Sequence, residues 1–200
     1  MARYTGPKRR LSRREGLALF AKDAKALEKK GAVPPGQHGL GRRRRISEYG
    51  IQLREKQKAK RIFGLLEKQF KRYFEEASKV RGATGLVLLQ TLETRLDNVV
   101  YRLNFAKSRA GARQLVSHGH IKVMGKKVNI PSFQVKVDQT IEISEDLRDN
   151  TQVKKSLEEA QTLPEWLDRR ATVGKVLRMP EREEMELSID EQLIVEYYSR

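Results

Sequence analysis

Apolar positions along the 200 residues fall into three regimes. Over residues 1–46 they show little periodicity. Within that stretch Pro34-Pro35-Gly36-Gln37-His38-Gly39 favours an extended or turned backbone over a helix. The pattern predicts a largely irregular arm, with one short helix allowed around Leu17 to Lys29. From residue 47 the spacing becomes helical. Ser47 is placed to N-cap a helix running to about Phe63, whose thin apolar face is Ile51, Ala59 and Ile62. Leu66, Phe70, Tyr73, Phe74 and Ala77 follow in three- and four-residue steps, which predicts a second helix over 66–79. Gly82 and Gly85 break the chain, and Thr84 caps a third helix through Leu86, Leu89 and Leu92.

The third regime opens at Arg95. RLDNVVYRL (95–103) reads as a short helix with Leu96, Val99, Val100 and Leu103 inward, ended by Asn104. Ser108 caps a further helix, RAGARQLVSHG, which stops at Gly119. Period-two alternation then sets in. Ile121 and Val123 alternate, Gly125 turns, and Val128 and Ile130 alternate back. Phe133, Val135 and Val137 predict a third strand, Ile141 and Ile143 a fourth. A helix is expected around Val153 to Ala160. Residues 161–180 give no clear period, with Trp166 as a core anchor, and Asp190 caps a final helix bearing Leu193, Ile194 and Tyr197. The fold class is therefore α+β: helices first, then short helices feeding an antiparallel meander.

Charge changes the picture from fold to partner. The chain carries 42 Lys+Arg against 26 Asp+Glu, a formal +16, with an isoelectric point near 10.2. The charge is segregated. Residues 1–82 hold 24 basic against 8 acidic side chains, residues 83–137 hold 9 against 2, and residues 138–200 hold 9 against 16. A front so basic repels itself unless it meets a polyanion. No apolar run approaches the ~18 residues of a membrane span, and MARYTGPKRR lacks a secretory apolar stretch. The expected partner is therefore nucleic acid rather than membrane, and the expected address is the cytoplasm. With no cysteine, disulfides and thiolate metal sites are excluded.

Candidate catalytic chemistry is thin. Gly39-Leu40-Gly41 is followed by arginines and does not complete a dinucleotide fingerprint, and neither a P-loop nor a nucleophile elbow is present. His118 and His120 lack nearby carboxylate ligands, and His118 sits where a helix C-terminus favours a cationic or donor ring. Glu181, Glu183, Glu184 and Glu186 surround Arg182 and read as a solvated face or a protein contact. No cofactor or metal is expected.

Two basic surfaces stand out instead. The first combines Lys8, Arg9, Arg10, Arg13 and Arg14 with Arg42, Arg43, Arg44 and Arg45, and with Arg54, Lys56, Lys58 and Arg61 on the helix that follows. Arginine suits bidentate phosphate contact. The second places Arg109, Arg113 and Gln114 on a short helix and Lys122, Lys126 and Lys127 on the hairpin after it. Folding that helix onto the strands can bring both sets to one edge, where amides and the histidines His118 and His120 can add 2′-hydroxyl contacts.

The segments MARYTGP, LSRREG, PGQHG, SEYG, LREKQK, RLDNVVYRL, ARQLVSHGHI and LIVEYYSR, in this order, resemble the family of bacterial small-subunit ribosomal protein four over essentially the whole chain. Residues 93–155 are similar to the small RNA-binding module named after that family. The resemblance implies a basic arm (1–46) and a helical domain (47–92) completed by a returning segment (181–200). It also implies an inserted α/β domain (93–180) of antiparallel sheet and short helices. It implies binding to the 5′ domain of small-subunit rRNA at a helical junction early in assembly, a place beside the path by which mRNA enters, and an influence on decoding accuracy. Ribosomal protein five, and protein three near that path, are the implied protein partners, with no homo-oligomer. Motif matching implies rRNA contacts at Arg3, Arg13, Arg14, Gln37, His38, Arg54, Lys56, Lys58, Arg109, Arg113, Gln114 and His120. Two departures stand out. Arg9 and Ser12 occupy positions where some members carry the first cysteine pair of a zinc site. Met124-Gly125 replaces the frequent Asn-Gly, and because methionine disfavours positive φ a loop longer than a tight hairpin turn is expected. An RNA-modifying enzyme using the same module, and a DNA-binding regulator with 96–118 as helix-turn-helix, are the rival readings.

Overall fold

The computed structural model describes residues 4–30, 33–39, 45–148, 151–158, 162–186 and 188–200. The chain divides into two compact units, residues 1–85 with 188–200, and residues 86–187.

The first unit is helical. Helix α1 (Lys8–Glu15) and a 3₁₀ turn (Ala21–Asp23) leading into α2 (Ala24–Lys30) stand where an irregular arm with one short helix was expected. Helix α1 has no apolar stripe, so periodicity could not reveal it. It is fixed by polar groups: Ser12, fully buried, donates to Asp23 at 2.5 Å, and Arg13 donates to the carbonyls of Val33 (2.9 Å) and Pro34 (3.2 Å). Arg13 and Arg14 in its last turn also suit the negative end of the helix dipole. Helix α3 (Glu48–Ile62) begins at Ser47, whose hydroxyl accepts from the Gly50 amide. Its inward stripe is Gln52, Lys56, Ala59 and Ile62, while Ile51, expected inside, is exposed. Helix α4 (Glu67–Ala77) buries Phe70, Tyr73, Phe74 and Ala77 as its spacing predicts. The last helix, α10 (Glu191–Tyr198), is capped by Asp190. Gln52 reaches Glu196 at 2.9 Å, and the Tyr198 ring stacks on Phe74 with centroids 4.6 Å apart. The C-terminal segment thus completes the core of this unit.

The second unit takes most of α5 (Thr84–Glu93), then α6 (Leu96–Arg102) and α7 (Arg109–Ser117), which precede the strands. The first amides of α6 lack partners within their own helix. The segment 131–133 supplies them: Leu96 N–H donates to the Phe133 carbonyl (2.8 Å) and Asp97 N–H to that of Pro131 (3.2 Å). It runs into Phe133, Val135 and Val137, whose alternation predicts a third strand. Val135 does turn into the core, but the backbone pairs with the α5–α6 junction through an isolated Arg95–Gln134 bridge rather than joining the sheet.

The sheet is antiparallel, in the order β2-β1-β3-β5-β4, built from β1 (Ile121–Val123), β2 (Lys126–Lys127), β3 (Thr140–Ile143), β4 (Leu167–Arg170) and β5 (Val173–Val176). The β4–β5 hairpin lies in the stretch that gave no period, because LDRR contributes a single apolar residue. Between β3 and it lie α8 (Glu145–Arg148) and α9 (Thr151–Glu158). Leu96, Val99, Val100, Leu103, Ala112, Val116, Ile121, Ile141, Ile143 and Trp166 form one core between helices and sheet.

Two turns set the register. Gly119, at φ 75°, takes the left-handed position after α7, with its amide on Val116 and that of His120 on Leu115, so only His118, Gly119 and His120 separate the helix from β1. Met124 and Gly125 both have positive φ, 51° and 74°, between the paired residues Val123 and Lys126. This is a two-residue turn of the primed kind, not the longer loop expected. The strain at Met124 is offset by local bonds: its amide donates to the Thr140 carbonyl (2.9 Å), and its sulfur accepts from the Thr140 amide (3.4 Å).

Candidate nucleic-acid interface

The first unit presents its basic groups on α1 and α3. Lys8, Arg9, Arg10 and Arg14 are exposed, and Gln37, His38 and Arg45 are exposed further along. Lys8 lies over the Phe20 ring (5.3 Å) and Arg9 stands 4.0 Å from Asp23. Arg3, Arg42, Arg43 and Arg44 lie outside the described residues. Between the two helices Glu15 is clamped by Arg61 and, at 3.3 Å, by Arg54. Burial pushes the Glu15 carboxyl above its ordinary range despite both guanidinium groups. Lys58 pairs with Glu55 at 2.6 Å. Arg54, Arg61 and Lys58 are therefore partly satisfied from within and remain partly exposed.

Lys56 is placed differently. It is 3% exposed, its Nζ lies 2.7 Å from Glu67, and it sits over the Tyr197 ring at 4.5 Å. Glu67 also accepts from Lys60 (2.8 Å) and the Tyr198 hydroxyl (2.9 Å). Burial opposes ionisation of Glu67, but these three donors outweigh it and bring its pKa down to about 2. The Lys56 ammonium thus belongs to the interior of the unit, not to an open face.

The second unit carries its basic groups along α7 and the following hairpin. Ser108 caps α7 by accepting from the Gly111 amide (3.2 Å). Gln114 and His118 are exposed, and the His118 and His120 rings stand 6.0 Å apart. Lys126 and Lys127 are exposed, and Lys122 is half-buried beside Lys127 in the β1–β2 register. A side chain at Gly119 would collide with Cε of Lys127 (2.2 Å), so this lysine lies across the end of α7. The helix end and the hairpin do share an edge. Among the described residues no three His, Cys, Asp or Glu side chains converge to hold a metal ion, and no helix is long and apolar enough to cross a membrane.

Arg109 and Arg113 belong to a polar network that sequence reasoning missed. Arg95, fully buried, grips Asp97 with two bonds (3.0 and 2.7 Å), and Arg113 approaches the same carboxylate at 3.6 Å. Buried Glu93 accepts two bonds from Arg102 (3.0 and 2.7 Å) and one from Asn98 (2.5 Å). Burial works against the Arg102 charge, and Glu93 more than restores it. Arg109 donates to Asn98 (2.8 Å) and to Glu186 (2.7 Å), with its guanidinium 4.7 Å from the Tyr101 ring centroid. Glu93 and Arg102 are nine residues apart across a helix break, a separation that no periodic rule connects. The acidic group 181–186 is likewise engaged: Glu184 holds Arg178 at 2.7 and 2.8 Å, so it is not simply a solvated face.

Each of the two units exposes basic side chains together with amide and histidine groups, a composition that suits a nucleic-acid-binding protein. Comparison with known proteins narrows the class. Residues 3–93 match the family described as ribosomal protein S4/S9 N-terminal domain, and residues 94–141 match the S4 domain. The chain is 55% identical to the small ribosomal subunit protein uS4A of Symbiobacterium thermophilum and 55% identical to uS4 of Natranaerobius thermophilus. It is 56% identical to uS4 of Dictyoglomus turgidum, and each match covers 100% of both chains. The chain belongs to the uS4 family of small ribosomal subunit proteins. That family is structural and not enzymatic, which sets aside the RNA-modifying rival.

Proposed function

We propose that this protein is a primary rRNA-binding protein that anchors a helical junction in the 5′ domain of small-subunit rRNA and nucleates assembly there. The observation that carries the reading is that each unit has its own basic surface. On the first unit the contacts are Lys8, Arg9, Arg10, Arg14, Gln37, His38 and Arg45, with the open sides of Arg13, Arg54, Lys58 and Arg61. On the second they are Gln114, His118, His120, Lys122, Lys126 and Lys127, with Arg109 and Arg113. Two such surfaces on one chain can each take one RNA helix, and binding both favours the folded junction over its alternatives. Arg3, Arg42, Arg43 and Arg44, outside the described residues, are added as rRNA contacts on their chemistry alone. Proteins five and three and passing mRNA are its neighbours, through which it influences decoding accuracy, and its address is the cytoplasmic small subunit.

The experiment is binding of the protein to a folded junction RNA as a function of salt. With about 6–10 phosphates neutralised, affinity falls about 10³–10⁵-fold between 50 and 200 mM salt. Replacing Arg42, Arg43, Arg44 and Arg45 together by serine weakens binding and flattens the slope while leaving the melting temperature nearly unchanged. A flat salt response of the parent protein, or equal losses of binding and stability in the variant, would overturn the proposal.

A further inference from the structure

We infer that Glu186 occupies a phosphate-binding site on the second unit and is exchanged for an RNA phosphate when the protein binds. The inference rests on the rRNA-binding reading above. It adds a ligand position, two residues outside the expected surface (Arg102 and Tyr101) and a competing carboxylate.

The geometry is that of an anion site already holding an anion. One oxygen, Oε2 of Glu186, lies 2.7 Å from Nη2 of Arg109 and 3.7 Å from Nη2 of Arg102. Both guanidinium groups are held from behind by other partners. Glu93, 1% exposed at its side chain, takes Arg102 through two bonds, and the Asn98 oxygen takes Nε of Arg109. The Tyr101 ring supports the flat face of Arg109. Removing Glu186 would therefore leave both arginines oriented toward an empty anion position. Preorganised paired guanidinium groups suit an RNA phosphodiester as they suit a carboxylate, because both present two anionic oxygens to the same fork.

Charge points the same way. Around this site Arg95, Arg102, Arg109 and Arg113 face Glu93, Asp97 and Glu186. Glu93 and Asp97 are buried and fixed by bidentate arginines, so neither can leave without stranding a charge. Glu186 is the least buried of the three, with 27% of its side chain accessible against 1% for Glu93 and 7% for Asp97, and it lies outside the helices. It is the anion that can be given up to water. While in place it keeps Arg102 and Arg109 in register and weakens binding of stray anions. A phosphodiester fixed by the rest of the interface can displace it.

The test compares the full-length protein, Glu186→Gln and Arg109→Gln for binding to the same folded junction RNA at fixed salt, with melting temperatures recorded in parallel. Glu186→Gln is expected to bind on the order of tenfold more tightly, since one charge-assisted competitor is removed, and Arg109→Gln to bind more weakly. Inorganic phosphate, used as the second probe, is expected to raise the melting temperature of Glu186→Gln more than that of the parent. Unchanged or weaker RNA binding by Glu186→Gln, while the parent binds with a steep salt response, overturns this inference and leaves the rRNA-binding reading standing. Failure of the parent to bind the junction overturns both. If Glu186→Gln is too unstable to assay with RNA, an equal phosphate response in the two proteins overturns the inference.

Discussion

Replacing Glu67 by glutamine tests whether Lys56 serves the protein's interior or the RNA. The Lys56 side chain is 4% exposed and depends on the Glu67 carboxylate 2.7 Å away. Breaking a fully buried pair by removing one partner costs about 3–5 kcal/mol. Here the carboxylate side is 46% exposed, so water screens much of the field, and glutamine keeps an oxygen that can accept from Lys56 or Tyr198. The expected loss is therefore about 1–2 kcal/mol. For a chain of this length that lowers the unfolding midpoint by roughly 3–6 °C. Lys56→Met removes the ammonium and leaves a similar apolar stem against Tyr197 and Tyr198, at a cost under about 1 kcal/mol, since an apolar replacement avoids desolvating a charge. The double variant should lose less than the two singles added together, because the stranded ammonium is gone. Thermal unfolding followed by circular dichroism gives these values, and junction-RNA binding of Lys56→Met should match the parent within about twofold. A Glu67→Gln protein as stable as the parent would refute the argument. So would a Lys56→Met protein with full stability but tenfold weaker RNA binding, which would put that lysine against phosphate.

Two further outcomes follow from local geometry. Glu67 is held with its pKa near 2, below its unfolded value, so its stabilising contribution is complete above about pH 4.5 and is lost as pH falls toward 2; acid unfolding of Glu67→Gln should show a shallower loss across that window than the parent. Met124→Asn puts a residue tolerant of positive φ at the first hairpin position and should stabilise by about 0.5 kcal/mol in chemical denaturation, the relief of backbone strain exceeding the loss of the sulfur's contact with Thr140; a net destabilisation would show that the sulfur contact outweighs the turn preference.

Local rules found the elements that carry their own punctuation. Ser47, Ser108 and Asp190 cap helices, Gly119 ends one, and the stripe of α4 is buried, because each signal sits within a few residues of its effect. Helix α1 escaped because the interactions fixing it are a hydroxyl on Asp23 and a guanidinium on two distant carbonyls, with no apolar face to mark it. Alternation at Phe133 to Val137 predicts a strand, although an extended segment can pair with a helix junction as well as with a sheet. The basic residues of the surface were legible from charge alone. Which of them are already held by carboxylates was not, since Glu15 with Arg61, Glu67 with Lys56 and Glu186 with Arg109 are brought together by folding across 46, 11 and 77 positions.

The joint at Gly119 leaves no slack between helix and sheet. Because side chains along a strand point alternately up and down, one residue inserted after Gly119 would invert the whole of β1, sending Lys122 into the oily interior and Ile121 and Val123 out to water. At this knuckle the spacing between a cationic helix and a cationic ribbon is fixed to the single residue.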